Sequence, residues 1–167
     1  MIALVLGLAG TAWASTDFLR TTWRMAEPRS AVTAGEDGTA TLDGLTVGLV
    51  EAVDLGAAPS LPGSDWQPPD GFHAWRVVLE TTSTNEDLIT CDVALVDDRG
   101  RQFLANYFVD SFVEGYEYSY TCGVIGPDDD IGPQQALLVL VPEDATPRSV
   151  QIQQFTLNPV YLELEIG

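Results

Sequence analysis

From about residue 38 onward, apolar side chains recur at every second position, the pattern of strands that bury one face. Leu45, Val47 and Leu49 point one way, with Thr46 and Gly48 between them. Trp75, Val77 and Leu79 share a face, and Arg76, Val78 and Glu80 take the other. Cys91, Val93 and Leu95 continue the rhythm until Asp97-Asp98-Arg99-Gly100 turns the chain, so that Arg101 to Tyr107 returns as a hairpin partner. Tyr116, Tyr118, Tyr120 and Cys122 fall on one side, opposite Glu117, Ser119 and Thr121. The run 136–141, ALLVLV, has no polar side and suits a central strand covered on both faces. Val150 and Ile152 alternate with Gln151 and Gln153, and Val160, Leu162, Leu164 and Ile166 with Tyr161, Glu163 and Glu165. The pattern predicts an all-β domain of about seven to nine short strands, a sandwich or a barrel. Only 103–114, FLANYFVDSFVE, has a spacing that fits a helix as well as a strand.

Ahead of this body, residues 2–14 are continuously apolar, and Ala12-Trp13-Ala14 has the small-x-small form of a signal-peptidase site. Extended through Leu19, the stretch approaches the length of a membrane span, with Trp13 and Trp23 as interfacial anchors. Residues 1–20 are therefore expected to be a signal peptide or membrane anchor, 21–37 a linker and 38–167 the folded domain. Arg20, Arg24 and Arg29 follow the apolar run and nothing basic precedes it. That order reverses the usual positive-inside arrangement, which leaves two expectations, a basic start upstream or an N-terminus that loops differently. Localisation is expected to be extracytoplasmic, secreted or membrane-anchored, with membrane contact only through this segment. No cysteine follows the run to serve as a lipid anchor.

Charge narrows the partners. The 167 residues hold 25 acids against seven bases, a net charge of −18, and every base is arginine. Such a field repels phosphate backbones, which excludes nucleic acid as a partner. The two cysteines, Cys91 and Cys122, sit in strand-like segments, and an even count in an exported chain reads as a disulfide. It would close a loop of about 32 residues and contribute roughly 3–4 kcal/mol through the unfolded state.

Residues with reactive or ligating chemistry are few. His73 is the sole imidazole, and no G-x-S-x-G elbow accompanies it, so no nucleophilic triad is expected. Asp128-Asp129-Asp130 could offer oxygens to Ca²⁺, although the alternating spacing of an EF-hand loop is absent; a solvated acidic turn is the plainer reading. The tyrosines at 116, 118 and 120 are core if their face is inward, or a carbohydrate or peptide platform with Trp66 if it is outward. Sharing that face with Cys122 favours the core. Residues 55–71, LGAAPSLPGSDWQPPDG, carry four prolines and form a long loop, the kind of segment that often carries function.

Four landmarks occur in order along about 110 residues: Asp43-Gly44-Leu45-Thr46-Val47, the strand from Trp75 to Asn85 ending in Thr-x-Thr-Asn, Leu95 to Arg101, and Val141-Pro142-Glu143-Asp144-Ala145. In these the chain resembles the uncharacterised immunoglobulin-like domains of bacterial lipoproteins and membrane-anchored proteins, relatives of a secreted mycobacterial immunoprotective antigen. The resemblance implies an immunoglobulin-like β-sandwich and a role in adhesion, scaffolding or sensing at the cell envelope, with no catalytic residues and no cofactor. It departs from antibody domains, since Trp75 precedes Cys91 instead of lying between the cysteines. The expectation is a non-catalytic envelope or secreted module with a protein partner or a structural role. The alternative is a ligand- or Ca²⁺-dependent binding domain using the 55–71 loop or the acidic turn.

Overall fold

The computed structural model describes residues 28–106, 113–126, 129 and 131–167. The apolar segment expected to be a signal or anchor lies outside the described residues. Among the described residues ten strands run in order: β1 (Ser30–Thr33), β2 (Thr39–Leu42), β3 (Leu45–Gly56), β4 (Phe72–Ser83), β5 (Thr90–Asp97), β6 (Gln102–Leu104), β7 (Tyr120–Thr121), β8 (Gln134–Pro142), β9 (Pro147–Gln153) and β10 (Val160–Glu165). They form two sheets, one of order β1-β10-β9-β5-β6 with β7 also paired to β5, the other of order β2-β3-β4-β8. The protein is a β-sandwich, one of the two architectures the alternation allows and the one the resemblance implies.

Inward side chains follow the predicted phase. Leu45, Val47, Val77, Leu79, Leu137 and Val139 of the smaller sheet meet Leu95, Val150, Ile152, Leu162 and Leu164 of the larger one, all 1 % exposed or less. Each such side chain contributes about 1.5–3 kcal/mol by leaving water. Asp43 and Gly44, both at positive φ, make the two-residue turn that sets β2 on β3, with Leu42 opposite Leu45. Arg101 to Leu104 returns along β5 as expected, Ala94 facing Leu104.

Three expectations change. Ser30–Thr33, read as part of the 21–37 linker, is strand β1, paired in parallel with β10 from Ser30↔Val160 to Thr33↔Glu163. Four residues are too few to show a period, so only the pairing identifies them. At the start of 103–114, Phe103 and Leu104 lie in β6, not in a helix, and 107–112 lie outside the described residues. The run 136–141 is buried on both faces, yet β8 ends its sheet. Its outer edge is closed from the side: Ala105 bridges Val139, Asn106 N–H donates to the Leu138 carbonyl (2.8 Å), and Glu117 N–H donates to the Ala136 carbonyl (2.8 Å). The chain leaving β6 thus crosses from one sheet to the other and shuts that side of the sandwich.

Asn106 holds this crossing. It sits at φ 59, and its amide donates to the carbonyls of Glu117 (2.8 Å) and Tyr118 (2.9 Å). Asparagine tolerates the left-handed region, and its side chain supplies what the irregular backbone lacks.

Candidate functional site

The outer face of the smaller sheet should meet water, and at one end it does not. Leu138 of β8 points outward and is 1 % exposed, because Leu61 and Val113 close over it with Leu55, Trp66 and Tyr116 around them. This second cluster is the underside of the 57–71 loop. The loop is tied by its own bonds: Gln67 Nε2 donates to the Pro59 carbonyl (3.2 Å), Trp66 N–H to Ser64 Oγ (3.1 Å) and Phe72 N–H to the Pro69 carbonyl (3.1 Å). Prolines suit it, since they lock φ and need no donor bonded. Pro59 and Pro68 are buried.

Beside the roof is an open cleft of about 410 Å³, lined by Leu55, Pro59, Leu61, Arg76, Glu114 and Tyr116 among others. Arg76, on the outward phase of β4, is the one cation among its described lining residues. Its Nη1 lies 3.8 Å from Glu51 Oε1, an outlying ion-pair distance. Its Nε is buried and has no acceptor, alone among the described buried side-chain polar atoms. Burial raises the Tyr116 phenol above its ordinary range; Arg76 pulls it down and Glu51 pushes it up.

The tyrosine stripe is not one face. Tyr116 is half-buried in the second cluster, Tyr118 is 72 % exposed and Tyr120 is 2 % exposed in the main core. Turns at 114–115 and bends at 118–119 break the extended conformation that a shared face requires. Trp66 and Tyr116 do meet at the second cluster, whereas Tyr118 lines a separate small gap beside β5 and Leu104. Tyr120 hydroxyl bonds Thr81 Oγ1 at 2.6 Å, and burial drives its pKa well up against the opposing pull of that bond.

Cys91 and Cys122 are joined, with Cα atoms 5.7 Å apart and a sequence separation of 31. The bridge ties β5 to the residue just past β7, within one sheet, so it differs from the inter-sheet bond of antibody domains. Gln135, 1 % exposed on β8, holds β7 from the other side. Its amide accepts from Thr121 N–H and donates to the Thr121 carbonyl, both at 2.8 Å.

His73 Nδ1 lies 2.8 Å from Asp54 Oδ2 at the end of the smaller sheet. With both cysteines in the bridge, no thiolate stands near it. Of the acidic turn, Asp129 accepts Gly126 N–H at 2.6 Å; Asp128 and Asp130 lie outside the described residues. Among the described residues no group of three or more His, Cys, Asp or Glu is arranged to hold a metal.

Two features escaped the sequence reading. One is Arg76 with Glu114 at the cleft, hinted at only by a lone cation opposite a proline-rich loop. The other is a charged clamp at the β5–β6 turn. Asp97, whose side chain is closed to solvent, accepts Arg99 N–H (2.9 Å), Arg101 N–H (2.8 Å) and Arg101 Nε (2.7 Å). Desolvation pushes its carboxyl up, but the bonds from Arg101 and Arg99 together outweigh it, so it lies below the ordinary range. Asp144 is lowered too, first by hydrogen bonding to Arg101.

The chain is similar to an uncharacterised β-sandwich protein of Clostridium difficile 630, with 10 % identity, a TM-score of 0.39, and coverage of 84 % of this chain and 96 % of that one. No protein-family model matches the chain, and no curated protein matches it.

Proposed function

We propose that this chain is a non-catalytic, extracytoplasmic module that acts by presenting a binding surface, and that the surface is the loop-roofed outer face of the smaller sheet. The observation that carries this reading is the 57–71 loop, which seats its apolar residues on Leu138 and leaves an open, partly charged cleft at its margin. A long ordered loop on a rigid sheet is a common place for recognition. The disulfide supports an oxidising compartment. The immunoglobulin-like kinship and the apolar leader support a place at the cell envelope, anchored or secreted, with an envelope protein as partner. The cleft favours a second reading, a small-ligand binding domain using the same loop.

The test is photo-crosslinking of the full chain in its native cells. A photoreactive residue at Asp65, on the roof, should capture one defined species that the same residue at Gln102, on the opposite sheet, does not. Equal capture from both positions, or none from Asp65, removes the surface assignment. Steady hydrolytic turnover by the purified chain on an envelope substrate removes the non-catalytic reading.

A further inference from the structure

Both sheets of the sandwich lose their outer strand on the same side. Strand β1 runs beside β10 only from Ser30↔Val160 to Thr33↔Glu163, followed by one more bond from Ala34 N–H to the Glu163 carbonyl (3.2 Å). The chain then crosses to the other sheet, where β2 runs beside β3 only from Thr39↔Gly48 to Leu42↔Leu45. From Leu49 onward β3 is paired with β4 on one side, and no described strand lies along the other. Such an edge presents alternate N–H and C=O groups, a template for a further strand. Register shifts at Leu49/Glu51 and Asp54/Gly56 leave a regular stretch between them, Glu51–Asp54. Beside this edge is an open groove of about 570 Å³, lined by Ala34 from the crossing, Leu49 to Ala52 from β3, and Leu164 to Ile166 from the end of β10. Ala34, Leu49 and Ile166 are half-buried against the main core, whereas Val50 is 50 % exposed and Val53 42 %.

We infer that this edge takes up an extended, basic segment of a partner protein as an added strand. The segment's backbone continues the ladder past the point where β2 stops, and its apolar side chains enter the groove over Ala34, Leu49 and Ile166. Its basic side chains meet the acids of the rim. Charge decides the sign of the partner: the described lining holds two acids, Glu51 and Glu165, and no base, and Glu36 and Asp37 stand exposed on the crossing. Arg76 Nη1 is 3.8 Å from Glu51 Oε1, too far for a hydrogen bond, so that carboxylate keeps its acceptor capacity. A second copy of the chain fits less well. It would set −18 against −18 with Glu51 and Asp54 of both edges together, and the bulges keep the regular stretch short. This surface is separate from the roofed face, since it uses the β3 edge beside β2 while the roof sits over Leu138 of β8.

The test is fluorescence anisotropy of a labelled, end-capped peptide of alternating arginine and valine, as long as Leu49–Asp54, titrated with the full chain. It should bind saturably at submillimolar concentration. The same peptide with its backbone amides methylated keeps every charge and side chain but lacks ladder donors, and should bind about tenfold or more weakly. A glutamate–valine peptide of the same length should show no saturable binding. These peptides act on the unaltered chain, so the result does not depend on a variant folding. Val50→Lys, which sets a like charge on the edge, should weaken the basic peptide about tenfold or more. Leu104→Lys, at a comparably exposed apolar position on β6 of the other sheet, should leave it unchanged. Absence of saturable binding overturns the inference. Equal binding of the methylated peptide would show attraction of charge alone and overturn it too, and equal binding of the glutamate peptide would remove the basic partner. An equal loss in Leu104→Lys would remove the β3 edge. Sedimentation showing a dimer of the chain that Val50→Lys dissociates would assign the edge to a second copy instead. Failure of the peptide binding leaves the roofed-face assignment, read by crosslinking at Asp65, as it stands.

Discussion

Reducing the Cys91–Cys122 bridge is expected to cost about 4 kcal/mol, the loop-closure entropy for a sequence separation of 31. That figure assumes the folded state barely changes, and the surroundings support the assumption. Cys122 is 0 % exposed and Cys91 7 %, both in the main core, where apolar neighbours suit two free thiols once the sulfurs part to van der Waals distance. The strand β7 keeps other holds: its pairing with β5, the two Gln135 bonds to Thr121, and the Tyr120–Thr81 bond. The loss therefore falls on the denatured chain, which gains freedom. The assay is urea unfolding of oxidised protein and of protein refolded with reductant, followed by circular dichroism, with thiol titration confirming two free thiols. The reduced form should show a lower midpoint and a melting temperature lower by about 10–15 °C. A loss below about 1 kcal/mol, with the thiols demonstrably free, would refute the chain-entropy reasoning. A much larger loss would refute the claim that β7 is otherwise held.

Gln135→Leu keeps the size of the side chain but leaves the Thr121 N–H and carbonyl without their partners, and denaturant melts should show a loss of about 2–4 kcal/mol. Gly123→Ala places a Cβ on the Leu88 carbonyl oxygen, a backbone atom that cannot step aside, so the thermal midpoint should fall steeply where Gly126→Ala changes it little. Asp97 is held below its unfolded pKa, so its contribution is full above the ordinary carboxylate pKa of about 4 and lost as pH falls through the lower folded value. Asp97→Asn should accordingly destabilise at pH 7, with the gap to wild type closing in strong acid; a gap constant from neutral pH downward would contradict that linkage.

The alternation at Leu45–Leu49, Trp75–Leu79 and Val160–Ile166 was enough to reveal the all-β class, because side-chain direction in a strand is set by the backbone itself and needs no partner. The disulfide was equally legible, since two cysteines allow one pairing. Strand β1 was not, because four residues become a strand only when β10 supplies hydrogen bonds. The edge position of β8 was hidden for a related reason: burial on two faces says nothing of which strands lie alongside, and the covering Ala105, Asn106 and Glu117 are remote in sequence. The tyrosine pattern misled because local turns at 114–115 and bends at 118–119 reset the phase that alternation presumes.

The candidate site follows the same division. That residues 57–71 form an irregular loop was decided by their four prolines, each of which fixes φ and removes a ladder donor. That this loop folds back on Leu138, and that Arg76 and Glu114 then share one cleft, was decided only by the tertiary structure. Backbone preference acts between neighbours in the chain, whereas a site is a meeting of distant segments, and nothing in either segment alone records where the other will lie.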